Sequence, residues 1–161
     1  MGETPAGHPI GVVNVMGRIF MPPCDDPFRA ARAALEKLSS RARVLIVDVH
    51  AEATSEKMAM GWYLDGRASA VIGTHTHVPT ADERILPGGT AFITDVGMTG
   101  PYDSIIGMEK EPALARFLTH MPERLTSAKK DTRLCGAVVD VDEETGRARA
   151  ISRLMVGDGD V

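Results

Sequence analysis

The chain has little of several things that would place a protein at a glance. It holds two cysteines in 161 residues. Cys24 stands beside a Pro-Pro turn and Cys135 in a strand-like run, so neither a disulfide framework nor the short cysteine spacing of a zinc knuckle is available. Free thiols in a reducing compartment are expected. No apolar run approaches the roughly 20 residues that cross a bilayer. Met1-Gly2-Glu3-Thr4 has neither the basic opening nor the apolar stretch of a secretory leader, which predicts a cytoplasmic protein with no membrane partner. There is no basic block: 18 lysines and arginines stand against 22 acidic residues, a net charge of −4. An extended nucleic-acid surface is therefore not expected. Internal repeats and low-complexity tracts are also lacking, and one domain over residues 1–156 with a fraying tail at 157–161 is the expected organisation.

What is there reads as alternating strands and helices. Ile10 to Met16 and Val44 to Val49 are short β-branched apolar runs suited to central strands. Between them Pro22-Pro23 breaks the chain, Asp25 or Asp26 can cap a helix with Pro27 in its first turn, and Ala30 to Leu38 supplies helix formers. Parallel strands need a crossover, usually a helix, so this strand-helix-strand unit predicts an α/β layered domain. A second helix is expected from Ser55 to Leu64, closed by Asp65-Gly66, and a strand at Ala70 to Thr74. A loop follows at Val78 to Asp82, a turn at Pro87-Gly88-Gly89 and a strand at Thr90 to Val96. Gly97 to Tyr102 should be irregular, and Pro112 to Thr119 helical. Leu134 to Val141 and Ala148 to Val156, joined by Asp142-Glu143-Glu144-Thr145-Gly146, predict a carboxyl-terminal β-hairpin.

Three of the five histidines follow strand-like runs. His50 ends Val-Leu-Ile-Val-Asp-Val-His, and His75 and His77 follow Ala-Val-Ile-Gly-Thr. Ligands of open α/β sheets bind outside the carboxyl ends of the strands. Imidazole is the commonest transition-metal ligand, and two histidines one residue apart in extended backbone would face one side, within reach of one ion or two adjacent ones. His50, His75 and His77 are the candidate metal ligands. His8 and His120 lack such a setting and are read as ordinary surface histidines. Asp48, Glu52, Asp82, Glu83 and Asp95 lie near strand ends, where a carboxylate can orient an imidazole. Glu52 can equally be an acidic residue favouring a helix amino terminus, and Asp95 a turn former before Gly97.

Longer motifs carry a resemblance. Gly17-Arg18-Ile19-Phe20-Met21-Pro22-Pro23-Cys24-Asp25-Asp26-Pro27-Phe28, Asp48-Val49-His50-Ala51-Glu52-Ala53-Thr54-Ser55-Glu56-Lys57, Gly61-Trp62-Tyr63-Leu64-Asp65-Gly66, Gly73-Thr74-His75-Thr76-His77-Val78 and Ile93-Thr94-Asp95-Val96-Gly97-Met98-Thr99-Gly100-Pro101-Tyr102 resemble the YmdB family of calcineurin-like metallophosphoesterases. The resemblance runs from about Gly2 to about Met155. It implies the carboxyl-terminal portion of an αββα sandwich, a dinuclear centre of manganese or iron type, and phosphodiesterase activity on 2′,3′-cyclic nucleotides by attack of a metal-bridging hydroxide. By position it makes His50 and His75 ligands of one ion and His77 a ligand of the other.

In the family, Gly-Asp and Gly-Asn-His motifs precede the matching region and supply an aspartate, a bridging glutamate, asparagines and the histidine thought to protonate the leaving oxygen. Nothing in this sequence replaces them, so the general acid is not assigned. His8, in Ala6-Gly7-His8-Pro9, has no catalytic counterpart there. Weak or absent turnover by the chain alone is expected, together with self-association or a partner chain supplying the missing segment. The competing expectation is a non-catalytic relative that oligomerises or regulates.

Overall fold

The structure, a computed structural model, describes residues 1–157. The two β-branched runs become parallel neighbours. The first is β2 (Pro9–Met16), preceded by a short β1 (Gly2–Glu3), and the second is β3 (Val44–His50); they run in register from Ile10↔Val44 to Met16↔His50. The crossover is α1 (Pro27–Leu38). Asp26 rather than Asp25 caps it, its carboxylate accepting from the amides of Phe28 and Arg29. Pro27 loses nothing at a position whose N–H has no helical partner. A second crossover, α2 (Thr54–Tyr63), leads to β4 (Ala70–Thr74), parallel to β3. The sheet continues through β5 (Arg84–Ile85) and β6 (Ala91–Ile93), in the order β1-β2-β3-β4-β6-β5.

Alternation along these strands divides two cores. Leu45, Val47 and Val49 face the helices and pack with Val15, Val71 and Phe92 against Ala31 and Leu35 of α1 and Met60 and Leu64 at α2. Ile46 and Ile72 point to the opposite face, where they meet Val139, Ala148 and Ile151 of a second sheet. That sheet consists of β7 (Gly100–Pro101), β8 (Thr132–Val141) and β9 (Ala148–Gly157), in that order. Between β7 and β8 lies α3 (Lys110–Thr119). The result is a helix–sheet–sheet layering of the α/β class, with the carboxyl-terminal hairpin forming the outer sheet. Met60, Leu64, Val47 and Val71 are 0 % exposed, and each such side chain contributes about 1.5–3 kcal/mol relative to exposure.

Several expectations shift. The strand expected at Thr90 to Val96 is confined to Ala91–Ile93, because side chains take over the next backbone groups: Asp82 Oδ1 accepts from the Thr94 amide and Thr80 Oγ1 from the Asp95 amide. Within the expected irregular stretch, Gly100–Pro101 pairs with β8. α3 starts at Lys110, before the expected Pro112, since proline is tolerated in a first turn. The hairpin turn is held by Gly146 at φ 74, where an added Cβ would lie 2.3 Å from the Arg43 carbonyl oxygen. Gly157 ends β9, and residues 158–161 of the expected tail lie outside the described residues.

Candidate metal centre

Because β2, β3 and β4 are parallel, their carboxyl ends share one edge, and the register aligns Met16, His50 and Thr74 along it. Side chains at and just beyond this row form a continuous chain of polar contacts. Asn14 Nδ2 donates to Asp48 Oδ2 at 2.7 Å, and Thr74 Oγ1 donates to Asp48 Oδ1 at 2.8 Å. His50 Nδ1 lies 3.0 Å from the same Thr74 oxygen. His50 Nε2 lies 3.0 Å from His75 Nδ1, and His75 Nε2 is 3.1 Å from Glu52 Oε2. The two rings meet edge to face, with centroids 4.7 Å apart.

Counting protons along this chain gives the tautomers. The Thr74 hydroxyl spends its one proton on Asp48, so His50 Nδ1 must carry a proton and donate to Thr74, leaving a lone pair on Nε2. At the other end Glu52 can only accept, so His75 Nε2 carries a proton and, in the neutral ring, Nδ1 also presents a lone pair. Two lone pairs then face each other across 3.0 Å. Only a shared electrophile makes that arrangement favourable, either an additional proton or a cation. Bonds of roughly 2.1 Å to one ion, at an angle near 90°, would hold two nitrogens about 3.0 Å apart. The donor set therefore fits a metal ion bound by two neutral imidazoles whose far nitrogens are each fixed by a partner.

His77 takes a different course. The expected extended His-X-His does not form, because His75 has φ 104 and His77 φ 66. The left-handed turn at both residues sends the second imidazole away, and its Nδ1 donates to the Ile106 carbonyl at 2.9 Å. With Nδ1 donating, its Nε2 keeps a lone pair on an exposed ring. Among the described residues no three histidine, cysteine or carboxylate side chains gather around one point. His50 and His75 come together and His77 stands apart. His8 sits at the opposite end of β2, 3.4 Å from Glu143, and His120 caps the carboxyl end of α3.

The loop bearing His75 and His77 is anchored from beneath. Lys57 of α2 and Asp95, both 0 % exposed, form an ion pair of 2.9 Å. Lys57 Nζ also donates to the Thr74 carbonyl at 3.2 Å. Asp95 Oδ2 accepts from the Thr76 amide at 3.0 Å and its hydroxyl at 2.7 Å, while Oδ1 accepts from the Gly97 amide at 2.9 Å. Asp95 is thus a turn former through one oxygen and a clamp on the histidine loop through the other. A second buried carboxylate, Glu56, accepts from the amides of Arg18 and Ile19 and fixes the loop after β2.

Of the candidate carboxylates, Glu52 lies before α2 and faces His75, while the acidic residue of that helix's first turn is Glu56. Asp48 supports His50 through Thr74. Asp82 binds Thr80 and Thr94, and Glu83 pairs with Arg153, so neither touches an imidazole. Burial pushes the Asp82 carboxyl up, but hydrogen bonds from Thr80 and Thr94 outweigh it and the net shift is down. The sequence reading missed Asn14, Thr74, Lys57 and Glu56. Lys57 did leave a signal: with Met60 and Leu64 it occupies the buried stripe of α2 at i, i+3 and i+7, where a lone lysine requires a buried partner.

The family model described as YmdB-like protein matches residues 1–154. The chain belongs to the YmdB-like family. It is 55 % identical over 152 residues to a 2′,3′-cyclic-nucleotide 2′-phosphodiesterase of Bacillus subtilis (strain 168), covering 94 % of this chain and 58 % of that protein. A crystal structure of a hypothetical protein from Thermus thermophilus superposes with a TM-score of 0.86 at 55 % identity, covering 92 % of this chain and 57 % of that one. A Mycoplasma pneumoniae protein described as a novel phosphatase gives 0.83 at 36 % identity, with coverage of 91 % and 52 %. The chain thus spans between about half and three-fifths of the length of these relatives.

Proposed function

We propose that this YmdB-like protein acts as a metal-dependent phosphodiesterase on a small phosphodiester of the 2′,3′-cyclic nucleotide type, within a calcineurin-like sandwich. His50 and His75 hold one divalent ion of manganese or iron type, and His77 serves a second. The observation that carries the reading is the facing pair of imidazole nitrogens, His50 Nε2 and His75 Nδ1, 3.0 Å apart, with Thr74 and Glu52 holding the opposite ring nitrogens. The name of the Bacillus subtilis relative supports the substrate class, and the helix–sheet–sheet layering supports the fold family.

When bound, such ions activate water and offset the charge that builds on a phosphoryl group. The chain's own residues prepare the site. Asp48 and Thr74 lock His50 in the tautomer with a free Nε2, and Glu52 does the same for His75 Nδ1. Ile106 holds His77 with its Nε2 open. Fixing the rings in advance spares the site the entropy of ordering them at each binding event.

The test is hydrolysis of 2′,3′-cyclic AMP to a phosphomonoester, followed with protein in excess over substrate so that slow turnover registers. Manganese-dependent product formation that falls at least about 100-fold in His75→Ala is the expected result. Product formed equally without metal, or equally by the variant, would overturn the proposal.

A further inference from the structure

We propose that Lys57 and Asp95 are positioning residues for the histidine loop: this buried pair holds the backbone on both sides of His75 and so aims its imidazole at His50. The geometry is specific to that task. Lys57 Nζ takes the carbonyl of Thr74, the residue before His75. Asp95 Oδ2 takes the amide and hydroxyl of Thr76, the residue after it. The polar partners of the His75 ring are His50 and Glu52, not these two side chains. Between these two anchors His75 adopts φ 104, a conformation that a side chain with a Cβ rarely holds unless its surroundings determine it.

Stability alone does not account for the pair. A lysine and an aspartate that are both 0 % exposed give up their hydration, and apolar residues of like volume commonly serve a core as well or better. What apolar residues cannot do is bond the Thr74 carbonyl and the Thr76 amide. The fold also makes room for the lysine stem. Gly73 is bare where it passes, and an added Cβ there would lie 2.9 Å from the Lys57 Cδ. Asp95 is itself held by the Thr80 hydroxyl at its amide and by the Gly97 amide at Oδ1, so the clamp is rigid at its base.

The consequence for metal affinity rests on the proposed metal site, whereas the consequence for ring placement does not. The experiment compares the wild type with the double variant Lys57→Met/Asp95→Leu, which removes both charges together, and with Thr76→Val, which deletes one bond to the clamp on a partly exposed loop. Two readouts are taken: manganese affinity by calorimetry, and, in metal-free protein, the ring nitrogen resonances of His75 with the exchange rate of the Thr76 amide. Well below the melting transition, a folded double variant is expected to bind manganese about 10–100-fold more weakly. Its His75 resonances shift and its Thr76 amide exchanges faster. Thr76→Val shows the same changes to a smaller degree and decides the matter if the double variant fails to fold.

Wild-type resonances and exchange in folded variants would overturn the positioning role. A wild type that binds no manganese would overturn the metal reading, while the ring and amide data would still decide whether the clamp positions His75.

Discussion

Gly73→Ala probes how tightly the histidine loop is built into the sheet. An added methyl at Gly73 would sit 1.6 Å from the Thr94 carbonyl oxygen, where about 3.0 Å is the practical floor. The obstacle is backbone, so no rotamer change relieves it, and the chain segments must part by at least about 1.4 Å. Parting them strains the bond from the Val96 amide to the Gly73 carbonyl at 3.0 Å and presses the methyl toward the Lys57 stem at 2.9 Å. Overpacking of this kind costs about 1–3 kcal/mol, and each weakened hydrogen bond adds about 1 kcal/mol. A total loss of about 2–4 kcal/mol is expected, a large part of a typical domain's stability. The control is Gly136→Ala in β8, where an added Cβ meets nothing within 4 Å and the change should be neutral or stabilise by up to about 1 kcal/mol. Urea denaturation followed by circular dichroism measures both. A Gly73→Ala midpoint equal to wild type would refute the close approach of residues 73 and 94 and the site geometry built on it.

Three further outcomes are expected. Thr74→Val frees His50 Nδ1 from its partner, and manganese affinity measured by calorimetry should drop about 10–100-fold with little loss of stability. Met60→Ala, at a fully buried position between helix and sheet, should cost about 2–5 kcal/mol in denaturant unfolding; a cost below about 1 kcal/mol would contradict the packing of α2 on the sheet. The Asp82 carboxyl is depressed below its usual range by Thr80 and Thr94 despite the opposing effect of burial. Its contribution to stability is therefore present above the unfolded-state value of about 3.9 and is lost as pH falls through the lower folded value. Asp82→Asn should flatten the acid limb of stability against pH, and an unchanged acid limb would count against these hydrogen bonds.

Much of this was legible in the residues, for identifiable reasons. Apolar runs bounded by proline, glycine and capping aspartate marked β2, α1, β3 and β4 to within a residue or a few, because burial and capping are local signals. The placing of His50 and His75 at strand ends followed from the same pattern. The extended reading of His75-Thr76-His77 did not hold, since its backbone is set by partners distant in sequence: Lys57, Asp95 and Ile106 turn the loop, and no local propensity reports them. Thr74 was legible as a strand residue but not as the relay between Asp48 and His50, which requires the parallel register of β3 and β4. The short pairings β1, β5 and β7 were missed because two-residue strands leave no periodicity to read. Glu56 was hidden for another reason: its acidic side chain suits a helix start, and only the loop after β2 reveals that it binds the amides of Arg18 and Ile19.

The most direct trial of the facing imidazoles is a calorimetric titration of the metal-free protein with manganese, run beside His50→Ala and His75→Ala. The account predicts that either substitution removes the same binding event, because one ion needs both nitrogens. Two variants that titrate like the wild type, or that lose separate and independent events, would contradict it.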